Sequence, residues 1–322
     1  MKTILLTNHY SGEPLKIIKS TVPDGFKLQV LDAAEQPELV SRAGTADYFL
    51  ASGRLKINSG VLERAVNLKM IQRTGVGLDS LDLGLIKEKN IPVYVNQGVN
   101  ADSVAEHTIM LILASLKKLP QVDSKTKSGI WSKQAQGVRN YELKGRTVGL
   151  IGMGNIGRRT AKMLQGFEVN ILYYDEYPAE KATEEELKLT RVTLNELLER
   201  SDIVSLHCPL LDKTRHIINN ESIKLMKDGA VIVNTARGPL IDEDALIEAL
   251  KSGKLAYAGL DVYEKEPPVG SELFKLENVI TTPHIGGITY DSFYRMMHDA
   301  MRNIELFEKG KLEEIEQYKL NI

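Results

Sequence analysis

Cysteine is almost missing from this 322-residue chain: Cys208 stands alone. No intrachain disulfide can form, and the cysteine count gives no sign of an oxidising compartment. Aromatic residues are scarce at 6%, with a single tryptophan, Trp131. Excess charge is also lacking, since 41 Lys and Arg face 43 Asp and Glu for a net of -2. Such a balance leaves no electrostatic footprint for nucleic acid or an anionic membrane. No stretch of about 18 apolar residues occurs, so no membrane-spanning helix is expected. The first ten residues hold a short apolar run that soon turns polar, without the apolar core and cleavage site of a signal peptide. The expected location is the cytoplasm, and no metal site is expected.

What is present is the make-up of an ordinary globular protein, 43% hydrophobic and 26% charged, enough for a sizeable core. At roughly 100–200 residues per domain, the length suggests two domains. Short apolar runs alternate with helical stretches. In the first third, strands are expected at Ile4–Leu6, Lys27–Leu31, Tyr48–Ala51, Met70–Arg73 and Val93–Asn96, with helical periodicity at Val61–Asn67. Asn100 to Lys118 reads as a helix: Ser103-Val-Ala-Glu106 fits a capping box. The run Ile109–Leu116, apolar on nearly all sides, predicts burial, between domains or subunits. Residues 120–145, polar and irregular, read as an arm or linker.

From Arg146 a second series begins. Strands are expected at Thr147–Ile151, Val169–Asp175, Ile203–His207, Ala230–Asn234, Ala256–Leu260 and Val279–Thr281. Helices are expected between them at Ile156–Gln165, Leu194–Glu199, Ile223–Met226 and Asp244–Lys251. The acidic run Glu180–Glu186 reads as a solvated helix face, and a long helix, Tyr290–Lys309, closes the chain. Strand–helix alternation of this kind argues for the α/β class with doubly wound parallel sheet.

Gly152-Met-Gly154-Asn-Ile-Gly157 matches G-x-G-x-x-G. Alone the motif is weak, because glycines also make ordinary turns. Here a strand precedes it, a helix follows, and a second strand ends in Asp175, 18 residues after Gly157, which is the arrangement a dinucleotide site requires. Gly152 permits the tight turn, Gly154 lets the backbone approach a pyrophosphate, and Gly157 allows close helix–sheet packing. The amides of Asn155 and Ile156 sit at a helix N-terminus, which favours an anion. Asp175 can accept from both adenosine ribose hydroxyls and would repel a 2′-phosphate. The next residues, Glu176-Tyr177-Pro178, supply no arginine to offset that, so NAD is favoured over NADP.

Three later segments each follow an expected strand, where ligands bind in open α/β sheets. In Val233-Asn-Thr-Ala-Arg237-Gly-Pro, Arg237 offers a planar fork for a carboxylate; the competing reading is a surface arginine in a turn. In Gly259-Leu-Asp261-Val-Tyr-Glu-Lys-Glu266-Pro-Pro, Asp261 ends a strand and Glu266 is restricted by the prolines after it. His284 stands in Ile280-Thr-Thr-Pro-His284-Ile-Gly-Gly287, whereas His9, His107, His207, His216 and His298 read as structural. Reduction of a 2-keto acid builds negative charge on the carbonyl oxygen, which needs a proton donor, and histidine titrates nearest neutrality. An orienting carboxylate and an anion clamp complete the requirement. His284, Glu266 and Arg237 can fill the three roles.

These motifs, together with Arg73-Thr-Gly-Val76-Gly77-Leu-Asp79 and Asn100-Ala-Asp-Ser-Val-Ala-Glu106, resemble those of the D-isomer-specific 2-hydroxyacid dehydrogenase family. The likeness is strongest to its branch of 3-phosphoglycerate dehydrogenases and hydroxypyruvate/glyoxylate reductases. It spans essentially the whole chain. The resemblance implies that Arg237 binds the substrate carboxylate and that Glu266 pairs with His284, which shuttles the proton. It implies that Asp261 holds the nicotinamide carboxamide, that Cys208 and Pro209 line the adenosine pocket, and that Thr235, Ala236 and Gly286 also meet the cofactor. The amides of Val76 and Gly77 would grip the substrate carboxylate, Asn100 would sit near a hinge, and Ser52-Gly53-Arg54 falls where family members meet the substrate's distal group. A flavodoxin-like substrate domain (1–99 and 288–322) and a Rossmann NAD-binding domain (100–287) are implied, with a closing cleft between them. A homodimer through the NAD-binding domain is implied too, using helix 104–116 and the arm. The partner is then a small 2-keto or 2-hydroxy acid. Glu266 argues against formate dehydrogenase, which carries an amide there. Phosphite dehydrogenases and the NAD-sensing corepressors share the Arg/Glu/His set and stand as alternatives.

Overall fold

Tyr48–Ala51 is buried at all four positions and Ala230–Asn234 at all five. Strands buried on both faces belong in a parallel sheet covered by helices on both sides. The computed structural model describes residues 1–75 and 77–321. It divides into two compact units, Met1–Asn100 with Tyr290–Ile322, and Ala101–Thr289.

The first unit alternates β1 (Lys2–Leu6), α1 (Gly12–Ser20), β2 (Phe26–Gln29), α2 (Gln36–Ala43), β3 (Tyr48–Ala51), α3 (Ser59–Arg64), β4 (Met70–Arg73), α4 (Leu83–Glu88) and β5 (Val93–Tyr94). Its five strands lie in the order β2-β1-β3-β4-β5, all parallel, the flavodoxin-like order.

The second unit opens with α5 (Ala101–Lys117), α6 (Leu119–Lys127) and α7 (Lys133–Gly137). There follow β6 (Thr147–Ile151), α8 (Asn155–Leu164), β7 (Asn170–Tyr174), α9 (Lys181–Glu186), β8 (Leu189–Arg191), α10 (Leu194–Arg200) and β9 (Ile203–Leu206). It finishes with α11 (Asn220–Leu225), β10 (Ala230–Asn234), α12 (Glu243–Ser252), β11 (Leu255–Leu260) and β12 (Val279–Thr281). Seven parallel strands run β12-β11-β10-β9-β6-β7-β8. The chain then returns to the first unit as α13 (Tyr290–Glu308), whose Phe293, Met297, Met301 and Ile304 pack on Ile4, Leu6 and Tyr48.

Side chains alternate across the second sheet. Val204, Leu206 and Ile232 point into a core with Leu197, Leu246 and Leu250. Val148, Leu150, Val231 and Val233 point the other way, into a core with Leu111 and Ile112 of α5. On this second face, α5 rests on α8, β10 and β11.

Several expectations need correction. Residues 120–145 are not irregular throughout: Lys118, left-handed at φ +52°, breaks the helix, and α6 and α7 follow. The capping box at Ser103 does not form, because α5 begins two residues earlier and the Ser103 hydroxyl donates instead to the Gly286 carbonyl at 2.7 Å. Helix 104–116 buries its apolar face within its own unit. The acidic run is not wholly solvated, since Glu184 accepts from the buried Tyr173 hydroxyl at 2.5 Å. The edge strand β8 is three residues with one buried, too short to leave a period in the sequence.

Gly149 lies where β6 meets α10. A Cβ there would sit 2.3 Å from Ser201 Oγ and 2.5 Å from Leu197 Cδ2, inside a close-packed core. Gly149→Ala is expected to destabilise the protein by roughly 1–3 kcal/mol, the range for overpacking, seen as a lower Tm and denaturant midpoint. An unchanged midpoint would show that α10 can retreat freely.

Candidate active site

In the second sheet the strand order reverses at β6, with β7 and β8 on one side and β9 to β12 on the other. A crevice therefore opens where the carboxyl ends of β6 and β9 diverge. Gly152 turns the chain there at φ +102°, and a Cβ on it would meet the Cys208 amide nitrogen at 2.5 Å. A Cβ on Gly157 would lie 2.2 Å from the Gly152 carbonyl oxygen, so both glycines are demanded by packing. Gly154 is different: nothing lies within 4 Å of its would-be Cβ. The space before α8 is open, Gly154 supplies no side-chain cap, and the first amides of the helix, those of Asn155 and Ile156 among them, are donors without intrahelical partners.

Asp175 follows β7. Its Oδ2 accepts from the Met153 amide at 2.7 Å and its Oδ1 from the Tyr177 amide at 3.0 Å, leaving each oxygen a second lone pair for a ribose hydroxyl. An open helix N-terminus with an acid bonded to the glycine loop fits a dinucleotide. The residues next in sequence supply no arginine, but Arg191 of β8 donates to the Asp175 and Glu176 carbonyls at 3.2 and 3.3 Å. Cys208 and Pro209 leave β9 beside Gly152. Burial pushes the Cys208 thiol up to about 11, with the Asp175 charge adding to it, as befits a packing residue. Burial likewise pushes His207 down to about 4, and its Nε2 pairs with Ser205 Oγ at 2.9 Å.

The loops after β10, β11 and β12 bring the acid–base groups together. After β10, the buried Asn234 side chain accepts from the Ala236 amide at 3.0 Å and donates to the Arg237 carbonyl at 2.9 Å, an Asx-type turn that presents Arg237. Thr235 Oγ1 bonds Thr108 Oγ1 of α5 at 2.8 Å. Gly238 is indispensable, because a Cβ there would sit 1.8 Å from the Tyr263 carbonyl oxygen. The Arg237 loop can thus lie against the backbone that leads to Glu266. Arg237 Nη1 donates to the Ala236 carbonyl at 2.7 Å.

Glu266 accepts from the Tyr263 amide through Oε1 at 3.2 Å and bonds His284 Nδ1 through Oε2 at 2.8 Å. His284 is left-handed at φ +55° and its side chain is half-exposed. The hydrogen bond to Glu266 raises the imidazole pKa above the ordinary histidine value, against desolvation; the charges of Glu266 and Asp261 add to the rise and that of Arg237 opposes it. For Glu266, burial pushes upward, but the bond to His284, its charge, the Tyr263 amide and Arg237 together hold the carboxyl below the usual range. All three groups thus feel one another electrostatically.

Asp261 is almost wholly buried. It accepts from Thr282 Oγ1 at 2.6 Å, from the Ile285 amide at 2.9 Å and from the Gly286 amide at 2.8 Å. One acceptor direction remains on Oδ2. Thr282, Asn234 and Tyr263 were not singled out by sequence reasoning, and His107 was read only as structural. Gly77 and Asn100 lie in the first unit, where Arg73 donates to the Gly77 carbonyl; Val76 is outside the described residues. Among the described residues no cluster of three His, Cys, Asp or Glu could hold a metal ion, and no helix is long and apolar enough to cross a membrane.

The comparisons with known proteins agree with this geometry. Residues 109–286 match the family model for the NAD binding domain of D-isomer specific 2-hydroxyacid dehydrogenases. The chain is 44% identical over 278 residues to a hydroxypyruvate reductase of Thermotoga maritima, covering 85% of this chain and 87% of that one. A D-3-phosphoglycerate dehydrogenase of Methanocaldococcus jannaschii is 41% identical over 91% of this chain, which spans only 55% of that relative. The solved D-lactate dehydrogenase of Aquifex aeolicus, complexed with NAD and lactic acid, superposes with a TM-score of 0.85 at 31% identity, covering 99% of both chains. With over half its length matched by the family model and a glycine crevice shaped for the dinucleotide, the chain belongs to the D-isomer specific 2-hydroxyacid dehydrogenase family and is an NAD-dependent oxidoreductase.

Proposed function

We propose that this enzyme reduces a small 2-keto acid to its D-2-hydroxy acid with His284 as the proton donor, reversibly. The observation that supports it is the 2.8 Å bond from His284 Nδ1 to an ionised Glu266. An ionised carboxylate only accepts, so Nδ1 carries a proton. Nε2 is then the nitrogen that gives its proton to the keto oxygen, and takes one back in the oxidative direction. Arg237 clamps the substrate carboxylate with its fork. Gly154, Asn155, Ile156, Asp175, Cys208, Pro209, Thr235, Ala236, Asp261 and Gly286 would hold the cofactor. NADH, when bound, supplies the hydride. Gly77 and Asn100 are proposed as further substrate-binding residues, to be tested by their effect on KM.

The likeness to the hydroxypyruvate reductase, which covers most of both chains, favours hydroxypyruvate or a similarly short keto acid. A panel of hydroxypyruvate, glyoxylate, pyruvate, phosphohydroxypyruvate and phosphite is the direct test. Turnover of a short keto acid with NADH is expected; its absence with all of them, despite NADH binding, would sink the proposal. In the same assay His284→Gln should lower reductive turnover by on the order of a hundredfold or more, and Arg237→Lys should raise KM and lower turnover because lysine lacks the fork. Near-normal kinetics would remove the residue concerned from its role.

A raised pKa keeps His284 protonated to higher pH, so reductive kcat/KM should fall only as pH climbs past the ordinary histidine range. Glu266→Gln removes the charge that helps raise it and leaves only a neutral acceptor for Nδ1. The alkaline limb should then move to lower pH by about one unit. A limb that stays in place would mean another group titrates.

A homodimer formed through the NAD-binding unit is part of the same proposal. The arm carries Trp131, 83% exposed, and Val138, 81% exposed, with Leu119, Ile130 and Tyr141 also open, an apolar surface that suits an interface. Sedimentation should give a dimer, shifted to monomer in Trp131→Asp; a monomeric wild-type chain would refute it. A cytoplasmic location, in keeping with the lone cysteine, can be checked by cell fractionation.

A further inference from the structure

His107 stands on α5, 175 residues from the loop that carries His284, yet its Nε2 lies 2.9 Å from Thr282 Oγ1. Thr282 in turn gives its hydroxyl proton to Asp261 Oδ1 at 2.6 Å. With that proton committed, Thr282 Oγ1 can only accept from His107, so Nε2 of His107 must carry hydrogen. The imidazole is 3.6 Å from Asp261 Oδ1 itself and only 11% exposed. A Cβ on Gly286 would be 3.3 Å from His107 Cδ2 and 2.9 Å from Asp261 Oδ2, so the contact leaves no room for a side chain at 286. Four residues earlier on the same helix face, Ser103 bonds the Gly286 carbonyl at 2.7 Å.

Asp261 connects this part-buried pair to the proposed proton donor in two ways. Its carboxylate takes the amides of Ile285 and Gly286, the two residues after His284, and its backbone carbonyl takes the His284 amide at 2.8 Å. Those bonds define the turn in which His284 adopts φ +55°. Around the His284 imidazole the charged and titratable groups are Glu266, Asp261 and Arg237. Around Asp261 they are His107 from α5 and Tyr263, whose hydroxyl donates to the Thr282 carbonyl at 2.9 Å.

We propose that His107 and Thr282 are positioning residues: a part-buried hydrogen-bond chain, His107 to Thr282 to Asp261, holds the turn that aims His284 at Glu266. This rests on His284 being the proton carrier. Without the chain, Asp261 Oδ1 loses its shortest donor and the turn loosens. His284 is then paired with Glu266 for less of the time and titrates closer to an ordinary histidine.

The test is the pH dependence of kcat/KM for keto-acid reduction, with NADH affinity measured alongside by fluorescence to show that the fold and the cofactor crevice survive. Thr282→Val is isosteric without the hydroxyl. Its alkaline limb should move to lower pH by about one unit, with kcat reduced more than KM is raised. His107→Phe should move the limb the same way by a smaller amount. Thr282→Ser, which keeps the donor, and His107→Gln, which keeps an N–H, should restore the wild-type profile. A wild-type profile in Thr282→Val, or a Thr282→Ser that behaves like Thr282→Val, overturns the proposal. Failure of the underlying reading is separate, appearing as wild-type turnover in His284→Gln. If that variant is inactive while Thr282→Val keeps its profile, the chain alone is refuted.

Discussion

The bond between His284 Nδ1 and Glu266 Oε2 is the contact around which the second unit is organised. It works only if three loops after three neighbouring strands meet within a few ångströms. Parallel pairing places the carboxyl ends of β10, β11 and β12 on one edge, but adjacency of strands does not bring loops into contact. Gly238 does so for the first pair, since its missing side chain is what lets the Arg237 loop touch the Tyr263 backbone. Asp261 does so for the second, by binding three donors of the 282–286 loop. Remove either device and the sheet would still form, with Arg237, Glu266 and His284 no longer held together.

Electrostatics follows from that arrangement and supports the proposed roles. A lone half-exposed histidine would titrate near its ordinary value. Here an adjacent carboxylate shifts it upward while being held down itself, the pattern expected when one group stores a proton and the other stays charged to orient it. Arg237 opposes the upward shift in His284. It is close enough to share the same anion yet is prevented from replacing the proton, because its charge is permanent.

Much of this was legible in the sequence because it is local. The glycine fingerprint, the acid after β7 and the strand-end motifs each occupy a handful of consecutive residues whose backbone demands dictate their identity. The strands of both sheets, β8 excepted, were readable from short apolar runs. What was not legible depends on distance in sequence or on competition between local and distant partners. Ser103 has the spacing of a capping box, but the Gly286 carbonyl claims its hydroxyl. Arg191 is 16 residues from Asp175 and arrives beside it only because β8 pairs with β7. His107 was read as structural, but its Nε2 meets a hydroxyl that sequence cannot place. The arm helices were missed because they are short and polar and bury no residue, so they leave no apolar period.

The conformation of His284 shows why so much hydrogen bonding converges on one turn. A left-handed φ in a residue with a side chain costs about 1–2 kcal/mol, and the usual solution, glycine, is closed to a residue that must carry an imidazole. Asn and Asp, which tolerate that region, could not do the acid–base work near neutrality. The strain must therefore be offset from outside the residue. Hydrogen bonds to a charged acceptor contribute about 1.5–3 kcal/mol each. The two amides that Asp261 takes from Ile285 and Gly286 are thus enough to hold the turn. A third donor, Thr282, ties the same carboxylate to the start of the loop. The same logic explains why the supporting groups lie on α5: a long buried helix resting on β10 and β11 can hold a hydroxyl and an imidazole still where a surface loop could not.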